Sequence, residues 1–461
     1  MLPAKGDERL SYSVRIDEPL SRIDVEICPS GFRIERLVAP SPGAQELLGG
    51  GQVSSPEGDY SCPGDEVSLP ASKPGECVRY SVHLPDKTPD PTGLRRVGRD
   101  LLASPDLWLW IPAPRPLGVP MRVHFSLPNG VVAALPWVMA GPDFALSETA
   151  FSWKAGGAFT HAAPLSLPVL GGELDWSELG GGFEHSAEVR AWLSEGARAS
   201  SLLFGHFPVP NALVLGVPVE RGRPSFGMAL RGGGPAVVIL LDRSADARSL
   251  ASDWTCTHEF LHLGVPRLPP EDAWLFEGLA TYYTEVMRAR AGIITPAQAY
   301  QHLLDGFERG RKNAWHRTLR QASREMREDR AFYRVYWSGA ALAFLTDLAA
   351  RRARGPTLDA ALRPFAECCA GSEKFWDAER VLAHLDATLG VPLFADLAHA
   401  WLDRTEFPDV NPELRALGVS PGLRAEALFQ RAPSAALRDA IMAPALEPSP
   451  AEAQGEQHQP Q

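Results

Sequence analysis

The sequence predicts an α+β protein: a β-sandwich-like N-terminal domain over 1–170, a strand-and-helix domain over 171–430 that becomes mostly helical, and a disordered tail over 431–461. Three observations predict it. Apolar residues alternate with polar ones through the first third of the chain, as at Leu10, Tyr12, Val14 and Ile16, then Ile23, Val25 and Ile27. The same period of two, which puts successive side chains on opposite faces of a strand, returns at Val78, Tyr80, Val82 and Leu84 and at Met121, Val123, Phe125 and Leu127. From about Gly171 the pattern changes to strand plus helix, and beyond Thr281 it is almost wholly helical. After Leu428 the apolar periodicity weakens, and the Pro/Glu/Gln-rich stretch Glu447 to Gln461 has almost nothing to bury.

The Gly/Ser/Pro-rich stretches Gly49 to Pro74 and Pro85 to Gly98 read as long loops. The glycine clusters at Gly49 to Gly51, Gly180 to Gly182 and Gly232 to Gly234 lack the Lys and Ser/Thr of a phosphate loop and read as turns. Val237 to Leu241 is a short apolar run with the length of a buried strand, and Ser244 with Asp246 then starts a helix. Leu250, Trp254 and Leu261 recur at helical spacing up to Gly264, which stops the helix before Pro266. Pro266, Pro269 and Pro270 separate it from a second helical pattern, Trp274 to Tyr283. There Gly278 and Thr281 are small enough to let the second helix approach the first. A later helix beginning near Tyr336 ends at Arg351, Arg352, Arg354 and Gly355-Pro356, with basic residues at its negative end.

The first of these helices carries Thr257-His258-Glu259-Phe260-Leu261-His262. Residues four apart on a helix project about 40° from one another, so His258 and His262 share a face and can reach one metal ion. Glu259 lies about 100° further round, outside the ligand pair but close enough to take a proton from a metal-activated water. This combination predicts one Zn2+ per chain and hydrolysis of a peptide bond. A catalytic zinc takes three protein ligands and keeps a fourth position open, so another donor is needed downstream. Glu277 is the best candidate; a solvated helix charge is the alternative. Cys256, two residues before His258, points about 200° away and reads as core. The remaining histidines have no metal spacing.

In order and content these segments resemble the glycyl aminopeptidase family of gluzincin (HExxH...E) zinc metallopeptidases, related to the aminopeptidase N type. The resemblance rests on His258-Glu259-Phe260-Leu261-His262, Trp274-Leu275-Phe276-Glu277-Gly278-Leu279-Ala280-Thr281-Tyr282-Tyr283 and Arg288 to Pro296. It continues through Tyr336-Trp337-Ser338-Gly339-Ala340, Leu345-Thr346-Asp347-Leu348 and Thr357-Leu358-Asp359, covering roughly 250–365. It implies a thermolysin-like catalytic domain, His258, His262 and Glu277 as zinc ligands, Glu259 as base and Tyr336 as the tyrosine that stabilises the oxyanion. Tyr333 is the substitute, and on the residues alone Tyr336 reads as a core residue with its hydroxyl at the surface; the motif order is what favours it. Two departures stand out. Fourteen residues separate His262 from Glu277, fewer than in relatives, and Ala229 in Phe226-Gly227-Met228-Ala229-Leu230-Arg231 falls where relatives place a Glu that holds the substrate's amino end. The second departure opens an alternative, a catalytically altered zinc-binding protein that captures peptides on the same fold.

Composition sets the limits. A net charge of −11 with no sustained basic stripe argues against nucleic acid and anionic membranes as partners; the peptide or protein substrate is what the His258-to-His262 motif points to. The mixed-sign run Glu308 to Arg330 reads as a solvated helix face. No apolar run approaches the length of a membrane span, and Met1 to Glu8 lacks the features of a secretory leader, which points to the cytoplasm. Six cysteines are too few for a disulfide scaffold in 461 residues; Cys62 and Cys77 are the pair that an oxidising compartment would join.

Overall fold

The computed structural model describes residues 8–85, 93–152, 154–313, 316–370, 375–419 and 431–444. The chain forms two compact units, one of 1–167, 174–186 and 211–245, the other of 168–173, 187–210 and 246–461.

The first unit contains the predicted β-rich part. An eight-stranded sheet runs in the order Val138–Ala140, Asp143–Leu146, Met121–Ser126, Arg9–Ile16, Arg22–Ser30, Val78–His83, Gln52–Ser55, Gly58–Ser61. Every second residue of Arg9–Ile16 is buried, so the alternation seen in the sequence is the core face of this strand. Three- and four-stranded sheets contribute Leu37, Val67, Leu101 and Phe159 to the same apolar cluster, around Trp108 and Trp110. A five-stranded sheet holds Asn211–Val219 parallel to Ala236–Asp242, the expected buried strand, with Phe226–Leu230 antiparallel on its outer side. In that edge strand Ala229 stands opposite Val237.

Three expectations for this unit are corrected. The stretch 49–74 is not one loop: Gln52–Ser55, Gly58–Ser61 and Glu66–Ser68 pair as short strands, their brevity hiding them among turn residues. The other expected loop is a strand at Leu94–Val97, while 86–92 lies outside the described residues. Cys77 pairs with Cys28 and not with Cys62. The register explains this: Ile27 faces Val78 across two antiparallel strands, so their neighbours Cys28 and Cys77 lie side by side. Cys62 is free and donates to the Gly64 carbonyl, and Cys368 is bonded to Cys369. The glycine clusters are turns, with left-handed backbone at Gly50, Gly51, Gly180, Gly181, Gly182 and Gly233.

The second unit is helical. Its helices include α1 (Ser186–Phe204), α2 (Ala247–Ser252), α3 (Thr255–Leu263), α4 (Ala273–Arg290), α5 (Pro296–Lys312), α6 (Phe332–Ala353), α7 (Leu358–Leu362) and α8 (Ala435–Met442). One apolar cluster, with Trp274, Tyr282, Leu303, Phe344 and Leu382 at its centre, runs through them. The single helix expected from Asp246 to Gly264 is two. Asp246 caps α2 with a capping box to Ser249, but the backbone turns extended at Asp253, whose carboxylate accepts from the Thr255 N–H to start α3. Trp254 is thereby turned outward, 46 % exposed, instead of entering the core.

The helices α4 and α6 cross closely at two glycines. A Cβ on Gly339 would lie 1.8 Å from the Trp274 carbonyl oxygen, and one on Gly278 would lie 2.4 Å from the Gly339 backbone. Gly278 therefore serves the contact with α6, not the approach to α3 that its size suggested, because its open side faces Gly339. Elsewhere in a helix Gly→Ala stabilises by up to about 1 kcal/mol. Here Gly339→Ala is expected to destabilise by about 1–3 kcal/mol as the helices are forced apart. A denaturation midpoint shifted upward would refute this packing.

Buried ion pairs lock the same helices. Tyr282 donates to Asp347 and Tyr283 to Asp359, each at 2.8 Å, while Arg290 and Arg351 both donate to Asp359. Arg290 also donates to the Ile441 carbonyl, and Tyr300 to that of Arg438. These bonds and the burial of Ile441 and Met442 make α8 a packed helix, correcting the expectation that everything after 430 is disordered. Residues 445–461 lie outside the described set.

Candidate metal centre

All nine residues of α3 are buried, including His258, Glu259 and His262. The helix thus presents its polar groups inward, an arrangement stable only where they meet partners. On α4 Glu277 meets the histidines: its Oε2 lies 3.3 Å from His258 Nε2 and 3.2 Å from His262 Nε2, and the two Nε2 atoms are 3.2 Å apart. Two imidazole nitrogens and one carboxylate oxygen converging on a point are a zinc donor set. The other group of candidate ligands among the described residues, Glu26 with Cys28 and Cys77, has its two sulfurs bonded to each other.

The surroundings fit a cation. Thr284, seven residues after Glu277 and so on the same face of α4, donates to the Ala280 carbonyl at 2.7 Å. Its oxygen is then left to accept from His258 Nδ1, 3.3 Å away, which fixes the tautomer with Nε2 free for the metal. Phe276 stacks on the His262 ring at 4.1 Å between centroids, holding its plane. Burial pulls His262 down to about 4, so it is neutral at physiological pH. Burial alone would lower His258 and raise Glu277. Hydrogen bonding with Glu277 and the charges of Glu259, Glu277 and Glu285 instead hold His258 above its ordinary value. The His262 interaction and hydrogen bonds from both histidines keep Glu277 well below the usual carboxylate range. The carboxylates around the two imidazoles therefore favour positive charge at the centre of the cluster.

Glu259 is buried beside these ligands but is not part of the converging set, and its charge acts on His258, Arg267 and Tyr336. Tyr336, on α6, lies nearly parallel to the His258 ring at 6.1 Å. Burial, then the Glu277 and Glu259 charges, push its phenol well above its ordinary pKa, so the hydroxyl stays a proton donor. Tyr333 is 55 % exposed and lies near Arg309. The glycine crossing explains how Glu277 and Tyr336 meet: each sits within a turn of Gly278 or Gly339. Cys256 is buried in the expected direction, its thiol against Gly196 and the Trp192 carbonyl.

The structure brings together His258, His262 and Glu277 and sets Glu259 and Tyr336 beside them. Sequence reasoning passed over Thr284. Its i+7 spacing from Glu277 was the available signal, but a buried threonine on a helix usually bonds only its own backbone. Trp254, assigned to a helix face, instead lies edge-on to His258 with centroids 5.0 Å apart.

Comparison with known proteins agrees with the resemblance drawn from the sequence. The family model of M61 glycyl aminopeptidase matches residues 267–340, a span containing Glu277, Tyr336 and both crossing glycines. The fold is similar to an aminopeptidase N family protein from Idiomarina loihiensis, with TM-score 0.71 at 16 % identity over 89 % of this chain and 78 % of that one. An M1 zinc metallopeptidase from Deinococcus radiodurans is similar at TM-score 0.52 and 16 % identity, over 87 % and 94 % of the two chains. Native yeast LTA4 hydrolase is similar at TM-score 0.56 and 13 % identity, over 87 % of this chain and 68 % of that one. No curated protein matches in sequence. The family match lies over the second helix of the site and the helices after it, and the solved structures show the likeness of fold. No helix among the described residues is long and apolar enough to cross a membrane.

Proposed function

We propose that this chain hydrolyses peptide bonds with one zinc ion held by His258, His262 and Glu277. The observation that carries the reading is the convergence of those three donor atoms at 3.2–3.3 Å, beside a fourth buried polar side chain, Glu259, that does not join them. Zinc at such a site would polarise a peptide carbonyl and acidify a water molecule.

This chain's own residues supply the rest. The Glu259 carboxylate takes a proton from the attacking water and later returns it to the departing amine nitrogen, so the proton balance closes on one side chain. The Tyr336 hydroxyl donates a hydrogen bond to the carbonyl oxygen as negative charge builds there, which its protonated state permits. Thr284 keeps His258 in the ligating tautomer, and Phe276 keeps His262 in plane.

Tyr336→Phe removes the hydroxyl and retains the ring against His258. Its kcat is expected to fall by about 10²–10³-fold, the usual cost of one oxyanion donor, with KM and zinc content close to wild type. An unchanged kcat would remove Tyr336 from the reaction.

Ala229 motivates the second reading, a zinc-stabilised protein that captures peptides without cleaving them, because no carboxylate stands at that position to pair with a free amino end. Hydrolysis that disappears in Glu259→Gln separates the two.

A further inference from the structure

Among the described residues, Trp254 and Phe332 are the exposed aromatic residues in ring contact with the rings of the metal centre. Trp254 is 46 % exposed and meets His258 edge-on at 5.0 Å; Phe332 is 39 % exposed and meets Tyr336 edge-on at 6.4 Å. His258 and Tyr336 are themselves nearly parallel, 12° apart in plane. The four rings form a continuous series, Trp254, His258, Tyr336, Phe332, whose inner members serve the proposed chemistry and whose outer members face solvent.

Local structure holds Trp254 there. A helix continued through 253 would have carried it on the apolar face with Leu250 and Leu261. Instead the backbone turns extended at Asp253, whose carboxylate accepts from the Thr255 N–H and whose carbonyl accepts from Trp192 Nε1, so Trp254 stands at the N-cap of the metal-binding helix. Single exposed apolar residues are ordinary on protein surfaces. Two aromatic ones flanking a ligand and a carbonyl-binding phenol are what a substrate side chain would stack against, since aromatic rings prefer edge-to-face and offset contacts at these separations.

We infer that Trp254 and Phe332 form a subsite that accepts an aromatic or large branched apolar side chain of the peptide, next to the bond to be cleaved. The inference rests on the peptidase reading for its substrate and supplies that reading with a source of binding energy that does not need a carboxylate at position 229. The subsite is a specificity device; neither residue takes part in proton transfer.

The test is calorimetric binding of two probes to zinc-loaded full-length protein: phenylalanine hydroxamate and alanine hydroxamate, which share a zinc-binding group and differ in the side chain. Wild type is expected to bind the phenylalanine probe about 10-fold or more tightly than the alanine probe. In Trp254→Ala that ratio should fall close to one, and in Phe332→Ala it should fall part of the way. Equal affinities in wild type, or an unreduced ratio in both variants, overturns the subsite and leaves the peptidase reading standing. Selectivity that follows Trp254 in a protein that cleaves no peptide upholds the subsite and sinks the peptidase reading. No binding of either probe counts against both. Should Trp254→Ala fail to fold, as judged by its circular dichroism, the Phe332→Ala ratio decides in the same way.

Discussion

Glu259→Gln is expected to lower peptide hydrolysis by about 10²–10⁴-fold, the range that a positioned general base contributes, while zinc content stays at the wild-type level. The two halves of this expectation come from different features. Glu259 lies outside the group of atoms that converge on the metal position, so an isosteric amide there leaves the donors intact. The amide nevertheless cannot accept a proton from water or hand one to the leaving amine. Glutamine keeps the volume and polarity of a buried side chain, which limits the change to chemistry. If zinc were lost together with activity, Glu259 would be holding the metal and the division of roles drawn here would be wrong. Activity retained with zinc in place would put the base elsewhere.

Glu277→Ala should have the opposite signature: most of the zinc is lost, and activity falls because the metal is absent. Glu277 supplies the one anionic donor, and its oxygen is within 3.3 Å of both imidazole nitrogens. Without it two buried histidines remain, one kept neutral by burial and the other losing the carboxylate that favours its cationic form. Zinc binding also stabilises a fold in proportion to its affinity. Added zinc should therefore raise the melting temperature of wild type and leave that of Glu277→Ala nearly unchanged. An equal rise in both would show that Glu277 is not a ligand.

Much of this site could be read from the sequence because helical periodicity is a short-range property. His258 and His262 are four residues apart, and their shared face follows from backbone geometry alone. Placing Glu277 beside them also needed the prolines at Pro266, Pro269 and Pro270 to end one helix and begin another. Pairing between distant segments was less visible. The contact of Gly278 with Gly339 joins residues 61 positions apart, and nothing near Gly278 announces which helix it will face. The Cys28 and Cys77 pair likewise follows from strand register, which the alternation of apolar residues does not fix between strands far apart in sequence.

Local signals also failed where two of them competed. At Asp253 and Trp254 the apolar spacing favoured a continuous helix, and the local hydrogen bond of the Asp253 carboxylate to the Thr255 N–H won. The short strands within 49–74 carry so few residues that turn formers outnumber strand formers. At α8 an apolar segment too brief to stand alone is held by Arg290 and Tyr300 through its backbone carbonyls. In each case the decisive partner is remote or the competing local preference is of similar size.

The most direct measurement is the zinc content of the wild-type protein, purified without added metal and determined together with its rate of peptide hydrolysis before and after chelation. The account predicts close to one zinc per chain, hydrolysis that disappears with the metal, and recovery of both when zinc is returned. A protein that takes up no zinc on titration, or that cleaves peptides equally well without it, would contradict the account at its centre.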